Sequence, residues 1–96
     1  MIYSISYDLK NPGQNYDGLI EKIKSLGAWA HPCESYWLVD TQLNSAAVFN
    51  ILKAFLDGND VMIVSRFNND DFSGKVSSDK IVQWINERTE RYKNID

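Results

Sequence analysis

The strongest constraint on the fold is the order in which strand-like and helix-like patterns alternate along the chain. Four short runs rich in β-branched and aromatic residues are interrupted by two stretches with apolar residues at helical spacing. The runs cover residues 2–9, 28–33, 36–41 and 61–67, and the helical stretches cover residues 16–26 and 45–55. This β-α-β-β-α-β order predicts an antiparallel sheet with both helices packed on one of its faces.

The predicted fold class is α+β, with the ferredoxin-like arrangement that this element order defines. A third helix is predicted over about residues 78–91, after a polar loop, and it should fray into the charged segment 87–96. The chain has 96 residues, which suits one domain and leaves no room for a second core. We therefore expect a single domain, 1–96, with its core over about residues 1–67 and the extra helix outside it.

The first strand has two unlike faces, because successive side chains of a strand alternate. Tyr3, Ile5, Tyr7 and Leu9 share the large apolar face, whereas Ser4, Ser6 and Asp8 share the small polar one. The apolar face should pack against the two helices. The other face must be covered by the final helix, a partner or a ligand, and a homodimer formed through this face and the sheet edges is the economical solution.

Local signals mark where the elements begin and end. Gly27 is expected to form a left-handed cap at the end of the first helix, and Pro32 marks an edge or a bulge in the second strand. The nearly continuous apolar run 61–67 predicts a strand in the interior of the sheet. The expected N-caps are Asn15 for the first helix and Asn44 or Ser45 for the second.

Charge and cysteine content narrow the classes of function. The net charge is −3 and the pI is about 5.0, which is opposite to the electrostatic signature of most nucleic-acid-binding proteins. The single cysteine, Cys33, has no partner for an internal disulfide, so we expect a cytoplasmic protein. No apolar run approaches the roughly 18 residues that a membrane span requires, so no membrane role is expected.

Two short motifs resemble a known family. Tyr7-Asp8-Leu9 closes the first strand, and Ser35-Tyr36-Trp37 lies in a later strand. Together with an amphipathic helix ending at Gly27, these motifs resemble the CRISPR-associated protein 2 family and its SinR-like relatives, with a distant relation to virulence-associated protein D ribonucleases. The resemblance covers about residues 1–67 and implies ferredoxin-like homodimers, described as metal-dependent nucleases or as structural parts of the spacer-integration complex, in a phage-defence or mobile-element context.

The resemblance makes Asp8 the candidate catalytic residue and metal ligand. A twofold axis beside the first strand would bring two copies of Asp8 together around a hydrated Mg²⁺, and water bound to the metal could attack a phosphodiester. The alternative is that Asp8 caps the following loop by accepting a hydrogen bond from the amide of Asn11 or Gly13. The candidate nucleic-acid or ligand contacts are Lys10, Ser35 and Trp37.

Two functions from different classes follow from these residues. The first is a non-catalytic dimeric module that binds a protein, a nucleotide or nucleic acid, and the acidic composition favours it. The second is a magnesium-dependent endonuclease of RNA or DNA with paired Asp8 residues. His31 and Cys33 are expected to be structural, since no further His or Cys completes a metal site. Glu34 and Asp40 are reserve carboxylates near the same strands.

Overall fold

The computed structural model describes residues 1–11 and 16–93 of the protein, and its elements follow the predicted order. The strands are β1 (Ile2–Asp8), β2 (Ala28–Cys33), β3 (Tyr36–Asp40) and β4 (Val61–Arg66), and the helices are α1 (Asp17–Ser25), α2 (Ser45–Leu52) and α3 (Asp79–Lys93). A short 3-10 helix, Lys53–Phe55, follows α2. Within the described ranges, no helix combines the length and the apolar character needed to cross a membrane.

The four strands form one antiparallel sheet in the order β2-β3-β1-β4. β1 is an inner strand, where Ile5 lies opposite Trp37 of β3 and Val64 of β4. α1 connects β1 to β2, and α2 connects β3 to β4, so each connection passes over one intervening strand. The predicted α+β class is confirmed. We call the face that carries α1 and α2 the first face and the opposite one the second face.

The first face holds the larger core. Its fully buried residues come from two strands and two helices: Ile5, Leu19, Ile23, Trp37, Val39, Val48 and Leu52. Each is at most 2% exposed. Burying one large aliphatic side chain stabilises a fold by roughly 1.5–3 kcal/mol, so this face supplies most of the hydrophobic stabilisation. Tyr7 and Leu9 pack at its margin, as the alternation along β1 predicts.

α3 packs on the second face and covers part of it. Ile85 of α3 lies against Ile2, Ala30 and Leu38, and all four are at most 6% exposed. The covered region therefore includes β2, β3 and the beginning of β1. The final helix, which was one of three expected covers for this face, occupies that region.

The β4 side of the second face is uncovered. Val61 and Ile63 of β4 are 51% and 65% exposed. Asp8 and Ser6 of β1 lie directly opposite these two residues in the ladder and are also exposed. We call these four residues the open patch. The patch differs from the covered region because α3 does not reach it.

A buried ion pair joins α3 to the sheet. Arg88 is only 8% exposed, and its Nε lies 3.1 Å from Oδ2 of Asp40 at the end of β3. Its Nη1 donates a hydrogen bond to the Trp84 carbonyl, and its guanidinium lies 4.0 Å from the Trp84 ring centre. The helix predicted over about residues 78–91 is found as Asp79–Lys93, and it stays helical through the charged segment from Glu87 to Lys93. A buried arginine requires such partners, because burying a lone charge is costly.

β4 lies at an edge of the sheet, not in its interior as the apolar run 61–67 predicted. Met62 and Val64 pack against the first-face core, whereas Val61 and Ile63 project onto the open side of the second face. An unbroken apolar run predicts burial on both faces. Here one half of the run is partly buried against the first-face core and the other half is exposed.

Gly27 follows the end of α1, but its role there is not the left-handed cap that we predicted. Leu26 caps α1 in a right-handed conformation, and Gly27 does not adopt a positive φ. Instead, a Cβ at Gly27 would overlap the carbonyl oxygen of Asp40, so the position requires a residue without a side chain. The predicted cap at Asn44 is confirmed, because its Oδ1 accepts a hydrogen bond from the Ala47 amide at 2.8 Å. The predicted cap at Asn15 lies outside the described residues.

Candidate functional site

Asp8 projects from the last residue of β1 and forms an ion pair with Lys10. The Lys10 Nζ lies 2.6 Å from Asp8 Oδ2, and the Asp8 side chain is 64% exposed. Exposed pairs of this kind contribute about 0–1 kcal/mol to stability, because water screens them. The two predicted residues are therefore brought together, but as partners of one another.

The loop after β1 is held by Asp60. Its carboxylate accepts hydrogen bonds from the backbone amides of Lys10 and Asp57, each at 2.8 Å, and from the Tyr16 hydroxyl at 2.9 Å. The Asn11 side chain bonds the same carboxylate at 3.4 Å. A carboxylate from the loop before β4 thus caps the Lys10 amide, whereas the expected Asp8 cap of the Gly13 amide lies outside the described residues.

These hydrogen bonds contribute to shifts in the pKa values of Asp60 and Tyr16. Desolvation acts to raise the pKa of Asp60, but the hydrogen bonds from the Lys10 and Asp57 amides, Tyr16 and Asn11 outweigh it, and the pKa of this carboxyl falls below its ordinary value of 3.8. Desolvation, with the nearby negative charge of Asp60, raises the pKa of Tyr16 above its ordinary 10.0, against the opposing bond from Asn11. Asp60 is therefore ionised and Tyr16 neutral at pH 7.

Ser35 lies in the tight turn between β2 and β3. It has a positive φ of 37°, which is uncommon for a residue with a side chain. Its carbonyl oxygen accepts a hydrogen bond from the Tyr7 amide at 3.0 Å, so the turn is tied to β1. The Ser35 side chain is exposed. The backbone of this residue therefore has a clear structural role.

Trp37 belongs to the first-face core and is 2% exposed. Its indole Nε1 donates a hydrogen bond to the Tyr7 hydroxyl at 3.0 Å. The His31 ring stacks on it at 3.7 Å between ring centres with an interplanar angle of 10°, and Trp29 lies 5.4 Å away. The indole thus has ring neighbours already, so its face is not open for stacking on a base.

The sequence motifs meet at Tyr7 but do not form one site. Ser35 and Trp37 both hydrogen-bond to Tyr7, which brings the two motifs together. Side chains alternate along β1, however, so Asp8 lies on the second face while Tyr7 and Trp37 lie on the first. The predicted metal ligand Asp8 and the predicted contact Trp37 thus lie on opposite faces of the sheet, while Lys10 and Ser35 lie in loops.

Lys24 of α1 contributes to the aromatic group on the first face. Its Nζ lies 5.0 Å from the centre of the Trp29 ring and 6.0 Å from that of Trp37. A cation over an indole is attracted by the ring quadrupole and contributes about 0.5–1 kcal/mol at exposed sites. The position of this lysine in the sequence gives no signal that identifies the contact.

The remaining candidates do not combine into a metal site. Cys33 is a free, exposed thiol, and His31 stacks on Trp37. Glu34 is exposed in the turn, and Asp40 is paired with Arg88. Among the described residues, no three His, Cys, Asp or Glu side chains are grouped so that they could hold a metal ion.

Comparison with known proteins gives no match: no family model fits this sequence, and no curated protein or solved structure is significantly similar to it.

Proposed function

We propose that the protein is a ferredoxin-like, non-catalytic dimeric module of the CRISPR-associated protein 2 type, which acts as a binding or scaffold protein in the cytoplasm. The strand order supports the fold assignment, because β3 separates β1 from β2 and β1 separates β3 from β4. Two βαβ units split in this way are the ferredoxin-like pattern. The exposed thiol of Cys33 agrees with a reducing compartment.

The observation that carries the dimer proposal is the exposure of Ile63. This β-branched residue is 65% exposed in the middle of an edge strand, beside Val61, which is 51% exposed. Edge strands that keep apolar residues and lack inward charges are templates for pairing with another chain. A second copy that adds its own β4 would pair with the free backbone edge, place its apolar side chains beside Val61 and Ile63, and produce one continuous sheet of eight strands.

The same geometry argues against a shared metal ion. If two β4 strands pair across a twofold axis, three strand spacings separate the two β1 strands, so their Asp8 residues would be at least about 14 Å apart. Magnesium binds carboxylate oxygens at about 2.1 Å and could not bridge that gap. A face-to-face dimer with its axis at Asp8 would remove this objection, and it is the arrangement that the endonuclease alternative requires.

Disulfide trapping distinguishes the two dimers. In a Cys33→Ser background, single cysteines would be introduced at Val61, Ile63 and Ser65, which share one face of β4, and at Asp8. A disulfide requires Cβ atoms about 3.5–4.5 Å apart. We expect one β4 variant to crosslink two copies under mild oxidation and the Asp8→Cys variant to remain uncrosslinked. Crosslinking only through Asp8→Cys would contradict the edge-paired dimer.

Cleavage assays test the absence of catalysis. Wild type and Asp8→Asn, purified identically, would be incubated with single-stranded RNA and duplex DNA, with Mg²⁺ or with chelator. We expect no chelator-sensitive difference between the two proteins, and dimers of equal size by light scattering. Magnesium-dependent cleavage by wild type that is lost in Asp8→Asn would instead establish the endonuclease. Lys53→Gln is a matched control, because it changes one exposed charge away from the open patch.

A further inference from the structure

A groove of about 230 Å³ lies on the second face, beside the region that α3 covers. It is bounded by α3, by the bulged end of β2 and by the loop that joins β4 to α3. Most of its lining is apolar and comes from α3, from the segment between β4 and α3, and from β3 at the base of the groove. The principal residues of this lining are Leu38, Phe67, Phe72, Val76, Ile81 and Ile85.

Local interactions keep the groove formed. The ladder between β2 and β3 is irregular between Ala30 and Cys33, which moves Pro32 and Cys33 to the groove edge. The loop after β4 is fixed to α3, since Asn69 Nδ2 donates to Thr89 Oγ1 at 2.8 Å and Thr89 Oγ1 donates to the Asn69 carbonyl at 3.3 Å. The walls are thus supported by hydrogen bonds as well as packing.

Two aromatic rings form one wall of the groove. The rings of Phe67 and Phe72 are 5.4 Å apart between centres and tilted by 50°. Phe72 is 39% exposed and lines the groove together with Phe67. Tilted rings with a partly open face suit a flat aromatic guest, because edge-to-face and offset contacts are the preferred geometries.

The charge of the groove is opposite to that of the whole chain. Among the described residues that line the groove, Lys75 is the only charged one and none is a carboxylate, although the protein has a net charge of −3. Among the described residues, Lys75 makes no ion pair. Lys75 and the groove residues Ser73 and Tyr36 are the polar groups available to a ligand. An anionic group is the complement of that set.

Tyr36 stays neutral at the groove wall. Burial raises the pKa of its hydroxyl above the ordinary 10.0, against a smaller opposing effect from its hydrogen bond with Ser4. At pH 7 this phenol therefore carries no negative charge that would repel an anion. The lining thus remains apolar with one positive charge.

We propose that this groove binds a small aromatic carboxylate with one or two fused rings, whose carboxylate pairs with Lys75 while its rings pack against Phe67 and Phe72. The volume agrees with this size, because a dry protein cavity of about 150 Å³ accommodates benzene, and the groove is larger than that by about one fused ring. This site is separate from the open patch, so it does not depend on dimerisation.

The test uses 2-naphthoate and its uncharged analogue 2-naphthamide as probes, titrated into the ¹⁵N-labelled protein and followed by NMR. For wild type we expect shifts confined to residues of the groove, and a dissociation constant for 2-naphthoate of about 1 mM or below, as ligands with few atoms allow. The amide should bind more weakly than the carboxylate, because it lacks the charge that pairs with Lys75.

Two matched pairs of variants separate the charge from the ring contacts. Lys75→Gln should weaken 2-naphthoate about threefold to fivefold, the effect of losing an exposed ion pair, and leave 2-naphthamide unchanged. Lys53→Gln, which removes an equal charge elsewhere, should change neither. Phe72→Ala should weaken both probes, whereas Phe49→Ala, at a residue 37% exposed on α2, should weaken neither.

The outcomes decide the proposal. Shifts at the groove, with carboxylate preference that disappears in Lys75→Gln, would support it. An absence of shifts at millimolar 2-naphthoate, or shifts spread over other surfaces, would overturn it. Equal binding of both probes by wild type would overturn the assignment of an anionic ligand. All four substituted residues are exposed, so the variants are expected to fold. Their NMR spectra would verify this directly.

Discussion

The two faces of the sheet are built in different ways. The first face is closed by two helices over seven residues that are at most 2% exposed, whereas the second face is only partly covered by α3. The covered part of the second face includes a buried ion pair, and the rest includes Ile63 at 65% exposure. This difference indicates that the two faces have different roles. The first face stabilises the fold, and the second face provides the surfaces that we propose for binding.

The largest expected effect is a contrast between two isoleucines on opposite faces. Ile23→Ala, in the closed core, should reduce the free energy of unfolding by about 2–5 kcal/mol, because it removes buried methyl groups and leaves a cavity. Ile63→Ala, in the open patch, should change it by less than about 0.5 kcal/mol in the monomer. Urea denaturation at a protein concentration too low for dimers measures both. Equal losses would contradict the division between the faces.

Loss of the buried arginine should have the next largest effect. Arg88→Met keeps much of the side-chain volume beside Trp84 but removes the guanidinium from the Asp40 carboxylate, which is 10% exposed and keeps its ion pair with the Met1 ammonium at 3.3 Å. We expect a loss of about 2–3 kcal/mol, as for other buried groups that lose a charged partner. Hydrogen exchange should accelerate in α3 more than in α1. Uniform acceleration in both helices would show that α3 is not a separately anchored cover.

The third contrast concerns Gly27, where the chain between α1 and β2 passes close to the end of β3. Gly27→Ala should destabilise the protein by about 1–3 kcal/mol, because the new Cβ overlaps the Asp40 carbonyl and the backbone must move. Gly58→Ala is the control, since a Cβ there meets nothing within 4 Å. Thermal unfolding of the two variants measures the difference. A stable Gly27→Ala protein would contradict the close packing at this corner.

The smallest expected effect concerns Asp60, whose replacement should change how the free energy of unfolding depends on pH in acid. Its pKa is lower in the folded protein than the ordinary 3.8, so ionised Asp60 stabilises the fold above that pH, and this contribution is lost as the pH falls through the folded value. Asp60→Asn should therefore flatten the decline in stability below about pH 4. Urea midpoints between pH 2 and 6 would be compared with those of Asp71→Asn, an exposed control, which should retain the wild-type slope.

The spacing of apolar residues predicted the helices and strands well, because these elements depend mainly on residues that are close together in the sequence. β2 matches its predicted bounds of residues 28–33, and α1 lies within residues 16–26. Alternation along β1 also separated its two faces correctly. Periodicity cannot report which strand lies at an edge, which is why the run 61–67 was placed in the interior and β4 was found outside.

The contacts that hold the candidate site together were beyond local patterns. Asp60 follows Gly58 and Asn59 in a turn, and nothing in that turn indicates that its carboxylate accepts bonds from Lys10 and Tyr16. Arg88 lies in a charged stretch that reads as solvent-exposed. Both residues act through partners about 40 or more positions away, so they become visible only when the chain is folded.

The interleaved strand order also determines how the chain can fold. β1 requires a partner on each side, and these are β3 and β4, with Tyr3 opposite Arg66 near one end of the second ladder. Neither β1-α1-β2 nor β3-α2-β4 can complete its part of the sheet alone, because each lacks the strand that the other inserts. The loops that must close before β1 and β4 pair are long, which slows folding relative to a helical bundle of the same length. During synthesis, β1 therefore lacks its β4 partner until Arg66 has left the ribosome, and the domain forms cooperatively rather than by halves.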